Sequence, residues 1–210
     1  MKHFSKSDLL AAEKSFRRDF VNTLTGYKCL HLIGTISNSG ITNLAPFSQI
    51  IHVGASPPLI GVLFRPHTVV RHTLENILRT SYFTLNHVTE SFYREAHHSS
   101  ARWEGSEFQA VGLEEEYLEG FSAPFVKRSP LKIACKLEEV QTLKCNGTEL
   151  VVGSVEHVFV KDDAVGSDGL ISVSELGSVA VSGLDEYHVG SRLARLNYAK
   201  PGIAVTDYTG

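Results

Sequence analysis

The sequence is poor in cysteine, and its cysteines are widely separated. Cys29, Cys135 and Cys145 form no Cys-x-x-Cys pair, which argues against both a disulfide framework and a zinc knuckle. The histidines show no metal-binding motif, since the adjacent His97 and His98 would point about 100° apart on a helix. We therefore predict three free thiols, a reducing cytoplasmic compartment and no metal site.

The chain also lacks long apolar runs and an excess of charge of either sign. No stretch approaches the roughly 20 apolar residues of a membrane-spanning helix, and residues 1–20 contain no continuous apolar core of a secretory signal. The formal net charge is only -3, whereas nucleic-acid-binding domains present a basic surface. We expect neither a membrane nor a nucleic acid as a partner.

Familiar catalytic motifs are absent as well. The sequence contains no G-x-S-x-G nucleophile elbow and no H-E-x-x-H zinc helix. It also contains no phosphate-binding P-loop and no G-x-G-x-x-G dinucleotide fingerprint. The sequence therefore identifies no catalytic side chain, and the catalytic residues stay unknown.

What the sequence does contain is mostly β-strand pattern. We count roughly seven strands and three helices joined by hairpin-like connections, which favours a mostly antiparallel barrel with helices at its ends. At 210 residues the chain fits one domain. We divide it into an N-terminal helix over 7–23, a barrel over about 24–200 and a short C-terminal tail over 201–210.

Two polar patches flank an apolar strand between Gly40 and Thr80. The first, over 42–48, is turn-prone and could meet the polar edge of a flat ring. The second lies at the start of a helix that we predict to begin at His67 or Thr68. A helix N-terminus attracts anions, and arginines add charge-assisted hydrogen bonds to phosphate. The patches therefore suggest a nucleotide-like cofactor. The residues alone leave a plainer interpretation equally open, in which Thr68 only caps the helix and the cations are solvated.

The order of features along the chain resembles the flavin reductase-like, FMN-binding split-barrel proteins, especially their flavoredoxin-like branch. The resemblance runs from about Leu24 to Pro201. It rests on seven landmarks in family order: ISNSGITNLAPFS, SPP before LIGVLF, HTLENILRTSYFTLNHV, SEFQAVGL, SPLKIACKLEEV, LVVGSVEHVFV and GLDEYHVGSRLARLNYAKP.

The resemblance implies a mainly β fold, namely an FMN-binding split barrel that is largely antiparallel with peripheral helices. It also implies FMN as cofactor, NADH or NADPH as electron donor, a homodimer, and a flavin or redox protein as electron acceptor. The family's ring-binding turn and phosphate segment correspond here to Asn43, Leu44, Ala45, Pro46, Phe47 and Ser48, and to Arg65, Pro66, His67, Arg71, His72 and Thr73.

On this basis we expect an NAD(P)H-dependent flavin reductase or a related oxidoreductase. One alternative is a flavoredoxin-type electron carrier that keeps its FMN bound. Another, from a different class, is a non-catalytic flavin-binding protein. The sequence distinguishes neither NADH from NADPH nor a tightly bound flavin from a flavin substrate, and it does not identify the acceptor or the partner chain's contribution to the site.

Overall fold

A computed structural model describes residues 1–208 of the chain, and strands dominate it. The strands are β1 (Lys28–Cys29), β2 (His31–Ile36), β3 (Thr42–Phe47), β4 (Ile50–Ala55), β5 (Pro58–Phe64), β6 (Tyr82–His87), β7 (Glu115–Glu116), β8 (Phe125–Val126), β9 (Leu131–Thr142), β10 (Glu149–Val160), β11 (Val179–Ser182) and β12 (Glu186–Val189). The helices are α1 (Lys6–Ala11), α2 (Lys14–Thr23), α3 (His72–Thr80), α4 (Tyr93–His98) and α5 (Glu107–Val111), with a 3-10 turn at Asp162–Ala164.

The main sheet is a seven-stranded antiparallel sheet in the order β3-β2-β6-β9-β10-β5-β4. Its two edge strands, β3 and β4, are separated in the chain only by Ser48 and Gln49. Opposite edges can lie so close only if the sheet curls around, so the sheet forms a barrel. The Leu63 amide of β5 donates to the Gln49 carbonyl at 2.9 Å, which extends the β4–β5 pairing into this two-residue connection. The prediction of a mostly antiparallel barrel is confirmed.

Apolar side chains on β2 point alternately to two different cores, because successive residues of a strand face opposite sides of the sheet. Ile33 packs inside the barrel with Phe83, Leu85 and, from α3, Leu74 and Ile77. Its neighbour Leu32 packs on the outer face, in a cluster that includes residues of α4 and α5. Burial on both faces explains why two adjacent residues of this strand, Leu32 and Ile33, are both apolar and both fully buried.

The N-terminal region differs from the predicted single helix over 7–23, because it forms two helices. α1 begins with a capping box between Ser5 and Asp8 rather than with a cap at Ser7. Glu13 caps α2 by accepting a hydrogen bond from the Ser15 amide at 2.6 Å. The chain turns between them, and Arg17 donates to the carbonyl of Leu10 at 2.8 Å. The sequence pattern hid this break because both helices carry the same apolar spacing.

α3 also begins later than predicted, at His72 rather than at His67 or Thr68. The preceding residues form a turn in which the Thr68 amide donates to the Pro66 carbonyl at 2.9 Å. Val70, predicted to lie on the buried stripe of the helix, is 68% exposed. Thr68 therefore does not cap α3.

A smaller antiparallel sheet, β1-β11-β12, lies beside the barrel. The extended run predicted over 187–198 is paired only as far as Val189. Among residues 1–208, no helix is both long enough and apolar enough to cross a membrane. The predicted tail over 201–210 includes two residues, 209 and 210, that lie outside the described part of the chain.

Candidate functional site

The first polar segment, residues 43–48, lies on an exposed edge of the main sheet. Asn43 and Leu44 are buried, whereas residues 45–48 are half-buried. The amide of Leu44 points away from β2 and donates to the Glu107 carboxylate at 3.0 Å. Backbone groups two residues apart on a strand point to the same side. Pro46 lies two residues after Leu44, so its backbone nitrogen also faces away from β2, where the lack of an N–H removes no hydrogen bond between the strands. The Pro46 carbonyl therefore points to the same side as the Leu44 amide, away from β2.

Two carboxylates hold this edge from behind, and sequence reasoning missed both. Glu107, at the start of α5, is only 9% exposed and receives the Leu44 amide. Glu115 accepts a hydrogen bond from the Thr42 hydroxyl at 2.6 Å. The only sequence signal was the SEFQAVGL landmark, which places Glu107 near a helix start but does not show what it contacts. These contacts fix the position of the 43–48 segment.

The second polar segment, residues 65–73, forms a loop that leads into α3. The Arg71 side chain folds back on it, since its Nε donates to the Pro66 carbonyl at 3.1 Å. Arg71 is also the N-cap residue of α3, and its side chain makes no cap hydrogen bond. Arg65, His67 and His72 are exposed. The segment thus combines cationic side chains with the uncapped amides of a helix N-terminus.

One carboxylate faces these cations. Glu75 Oε1 lies 3.2 Å from His67 Nε2, and Glu75 Oε2 lies 3.8 Å from Arg79. The hydrogen bond from His67 is the largest cause that lowers the pKa of Glu75, followed by that from the Arg71 amide. Glu75 is therefore ionised near neutral pH and competes with any anion for the cations of the 65–73 segment.

The two segments meet in space. The Asn43 amide donates to the Thr73 hydroxyl at 2.9 Å, and both side chains are buried. Phe47 packs edge-on against Phe64, with ring centroids 4.8 Å apart. The twelve residues predicted from sequence therefore form one corner of the barrel, in which Asn43, Leu44 and Thr73 are internal and the others reach the surface. We call residues 43–48 and 65–73 together the polar corner.

A second polar cluster, which sequence reasoning did not assemble, lies at the end of the barrel interior. His31 Nε2 lies 3.2 Å from His87 Nε2, and the Cys29 sulfur lies 3.8 Å from His87 Nδ1. Burial lowers the pKa of His31 to about 3, with a further contribution from His87, and burial lowers that of His87 to about 4. Burial also raises the pKa of the Cys29 thiol to about 11. Both imidazoles are therefore uncharged at neutral pH.

Three other histidines, His52, His97 and His98, have different surroundings from His87. His97 is hydrogen-bonded to the Tyr187 hydroxyl at 2.6 Å, and His98 packs edge-on against Trp103. His52 lies on the exposed edge strand β4. The sequence could not place His31 beside His87, because the pairing of β2 with β6 rather than sequence proximity brings the two together.

Comparison with known proteins gives a consistent result. Residues 29–175 match the model of the flavin reductase like domain. An uncharacterised protein of Halalkalibacterium halodurans is 32% identical over 178 residues, covering 81% of this chain and 79% of that protein. A match of 33% identity to a protein of Aquifex aeolicus covers half of this chain and 56% of that protein.

Solved structures extend the comparison to the fold. A candidate flavin reductase with a split barrel domain from Shewanella frigidimarina NCIMB 400 is 50% identical, with a TM-score of 0.92, over 95% of this chain and all of that one. The flavoredoxin of Desulfovibrio vulgaris (Miyazaki F) has the same fold at 22% identity, with a TM-score of 0.72 over 97% of this chain and 99% of that one. The chain therefore belongs to the flavin reductase like family, and its curled antiparallel sheet is that family's split barrel.

Proposed function

We propose that this protein binds FMN at the polar corner and works as an NAD(P)H-dependent oxidoreductase of the flavin reductase type. The observation that carries the proposal is the meeting of the two polar segments through Asn43 and Thr73, whose side chains are hydrogen-bonded at 2.9 Å. A ring-binding edge and a phosphate-binding loop are useful to one ligand only if they lie together. Membership of the flavin reductase like family supports the choice of a flavin.

The 65–73 segment fits the phosphate of FMN. The amides of the first turn of α3 have no side-chain cap, and a helix N-terminus carries about half a positive charge. The hydrogen bond from Arg71 Nε to the Pro66 carbonyl holds the guanidinium against this loop. The two terminal nitrogens of the guanidinium can then donate to phosphate oxygens. Arg65 and His72 are exposed beside it. An anion of small size and high charge suits this set.

The 43–48 segment fits the polar edge of the isoalloxazine ring. Its edge-strand backbone offers hydrogen-bonding groups in a row, and the Leu44 amide on this side is already committed to Glu107. Pro46 has no N–H to offer, so the carbonyl oxygens of the segment are its main hydrogen-bonding groups. These acceptors suit the ring N–H of a flavin. Phe47 adds an apolar side chain to this segment, and its packing against Phe64 holds the ring in place.

FMN held at the polar corner would supply the redox chemistry, namely hydride transfer from NADH or NADPH and electron transfer to a second flavin or a redox protein. The chain's own residues bind and orient: Arg65 and Arg71 hold the phosphate, and the 43–48 backbone fixes the ring edge. Glu107 and Glu115 hold that backbone from behind. No side chain needs to act as an acid or a base in this assignment.

The decisive experiment is reconstitution of the purified chain with FMN. We expect a yellow protein with one FMN per chain, extractable and identifiable by chromatography, that oxidises NADH or NADPH when free FMN is the acceptor. A protein that stays colourless after incubation with FMN would refute the proposal. A protein that keeps its FMN but does not oxidise either nucleotide would instead be an electron carrier.

We also propose that the chain works as a homodimer, as the family resemblance implies. The exposed apolar side chains of Ile51 and Val53 support this proposal, because they lie on β4 directly after the polar corner and pack over Gly61. Light scattering of the purified protein should give twice the chain mass. A monomer at micromolar concentration that still binds FMN would contradict the dimer without affecting the flavin site.

A further inference from the structure

The cluster of Cys29, His31 and His87 carries an inference that is independent of the flavin proposal. Each residue offers one ligand atom, and the three atoms lie within 4.8 Å of one another. His31 and His87 are directly opposite in the pairing of β2 with β6. Their side chains face the barrel interior, as do those of Ile33 and Leu85 on the same strands. Two facing imidazoles therefore lie at one end of the barrel interior, next to the apolar side chains of Ile33 and Leu85.

The hydrogen bonds of the cluster determine which ring nitrogens carry protons. His31 Nδ1 lies 3.3 Å from the Cys29 carbonyl, which can only accept, so we assign a proton to Nδ1 and a lone pair to Nε2. His87 Nε2 must then donate to His31 Nε2 across their 3.2 Å separation. His87 Nδ1 accepts from the Ser178 hydroxyl at 2.9 Å. A single proton thus holds the two Nε2 atoms together.

A metal ion can take the place of that proton. Two nitrogens bound to one tetrahedral zinc lie about 3.3 Å apart, because zinc–nitrogen bonds are about 2.0–2.1 Å long. The observed separation of 3.2 Å is close to this value. Metal-bound histidines usually donate their second N–H to a carbonyl or another polar oxygen. Here the Cys29 carbonyl lies beside Nδ1 of His31, and the Ser178 hydroxyl lies beside Nδ1 of His87.

We propose that Cys29, His31 and His87 form a binding site for a divalent transition-metal ion of the zinc class. His31 and His87 bind it through Nε2, and Cys29 binds it as a thiolate. As the ion enters, the Cys29 thiol releases its proton to solvent, and the shared proton moves from His87 Nε2 to Nδ1, which then donates to Ser178. Two nitrogens and one thiolate are donors that zinc accepts readily.

The surface of the protein provides a route to this site. A groove of about 430 Å³ is lined by Cys29 and Ser178 at the cluster and by Tyr27, Lys28, Ile171 and Arg192 around it. Cys29 is half-buried, whereas the histidines behind it are buried. The fourth coordination position faces this groove. A water molecule or an anion from the groove, which Arg192 also lines, completes the coordination.

The test uses the full-length protein, purified without a histidine tag, stripped with a chelator and kept reduced. Titration with Co²⁺ should give one bound ion per chain with a thiolate-to-cobalt charge-transfer absorption, and Zn²⁺ should displace it. Cys29→Ser should lose that absorption and bind Zn²⁺ at least about 100-fold more weakly, beyond the loss expected for an outer-shell contact. Cys145→Ser, which changes an exposed cysteine elsewhere, should behave as the parent protein.

Thermal unfolding gives a second readout that does not depend on the spectrum. A ligand that binds only the folded state raises the midpoint of unfolding, so Zn²⁺ should raise it for the parent and for Cys145→Ser but not for Cys29→Ser. The proposal is overturned if the parent chain binds less than about 0.1 equivalent of Co²⁺. It is equally overturned if Cys145→Ser, rather than Cys29→Ser, removes the charge-transfer absorption.

Discussion

The polar corner and the Cys29–His31–His87 cluster are built in opposite ways. The corner draws its residues from a stretch of 31 positions, 43–73, and most of their side chains reach the surface. The cluster combines residues 29, 31 and 87 with Ser178, and its histidines are buried. The corner carries exposed charged side chains such as Arg65. In the cluster, burial keeps His31, His87 and Cys29 uncharged at neutral pH. The two proposals accordingly assign an anion to the corner and a cation to the cluster.

This difference explains why only one of the two regions could be found in the sequence. Exposed cations beside a helix start are a local pattern, and the pattern survives even if the helix start is misplaced by several residues. The facing of His31 and His87 depends on the register of two strands 56 residues apart. A slip of one residue would send the two imidazoles to opposite faces of the sheet.

The largest effect is expected for Gly34→Ala, which should damage both regions at once. Gly34 lies on β2 between His31 and Thr35, and an added Cβ would come within 2.2 Å of the Pro124 carbonyl oxygen. The backbone must move, so we expect a loss of about 3 kcal/mol in the free energy of unfolding. Chemical denaturation measures it. Gly190→Ala, where the added Cβ meets no atom within 4 Å, is the matched control and should stay near the parent.

Arg71→Ala should affect the polar corner but not the Cys29–His31–His87 cluster. Loss of a charged hydrogen bond to phosphate should weaken FMN binding by about 1.5–3 kcal/mol, as measured by fluorescence titration. Arg79→Ala on the same helix, whose guanidinium is directed to Glu75, should change the affinity little. Zinc binding should be the same in both variants. Equal FMN affinity of Arg71→Ala and the parent would remove Arg71 from the site.

Glu107→Gln should produce a smaller loss. The amide oxygen can still accept from Leu44, but the hydrogen bond is no longer charge-assisted. We expect FMN binding to weaken by about 1 kcal/mol, with the same number of FMN molecules bound at saturation. Glu114→Gln, at an exposed position paired with Lys127, is the control. If both variants bind FMN equally well, Glu107 does not position the 43–48 segment for the ligand.

Glu75→Gln should have the smallest effect, in the opposite direction. Removing this carboxylate frees His67 and Arg79 and removes a negative charge from beside the phosphate position. We expect FMN to bind more tightly by about 0.5 kcal/mol, the size typical of partly exposed ion pairs. The gain should shrink as salt is added, because exposed charges are screened. Weaker binding would show that Glu75 orders the loop rather than opposing the ligand.

The sequence predicted the barrel and its long strands well, because hairpins such as β2–β3 carry local signals: residues that favour strands, and a turn at Gly40 with φ of 81°. It also identified the two polar segments. It could not show that the Asn43 side chain donates its hydrogen bond to Thr73, or that Glu107 accepts one from the Leu44 amide. Both contacts join residues at least 30 positions apart in the sequence. The helix break near Glu13 and the late start of α3 at His72 were missed because local hydrogen bonds determine them, namely the Glu13 side-chain cap on the Ser15 amide and the turn from the Thr68 amide to the Pro66 carbonyl, rather than the apolar periodicity.

The seam between β3 and β4 has a consequence for how the protein is made. All twelve residues assigned to the polar corner lie before Ser81, yet β9 and β10 connect β6 to β5 and so complete the sheet. Until residues 131–160 have emerged from the ribosome, the two halves of the corner belong to unconnected strand pairs. Pairing across such long sequence separations is slow. Uptake of FMN at the polar corner, where we propose that it binds, should therefore report a completed barrel.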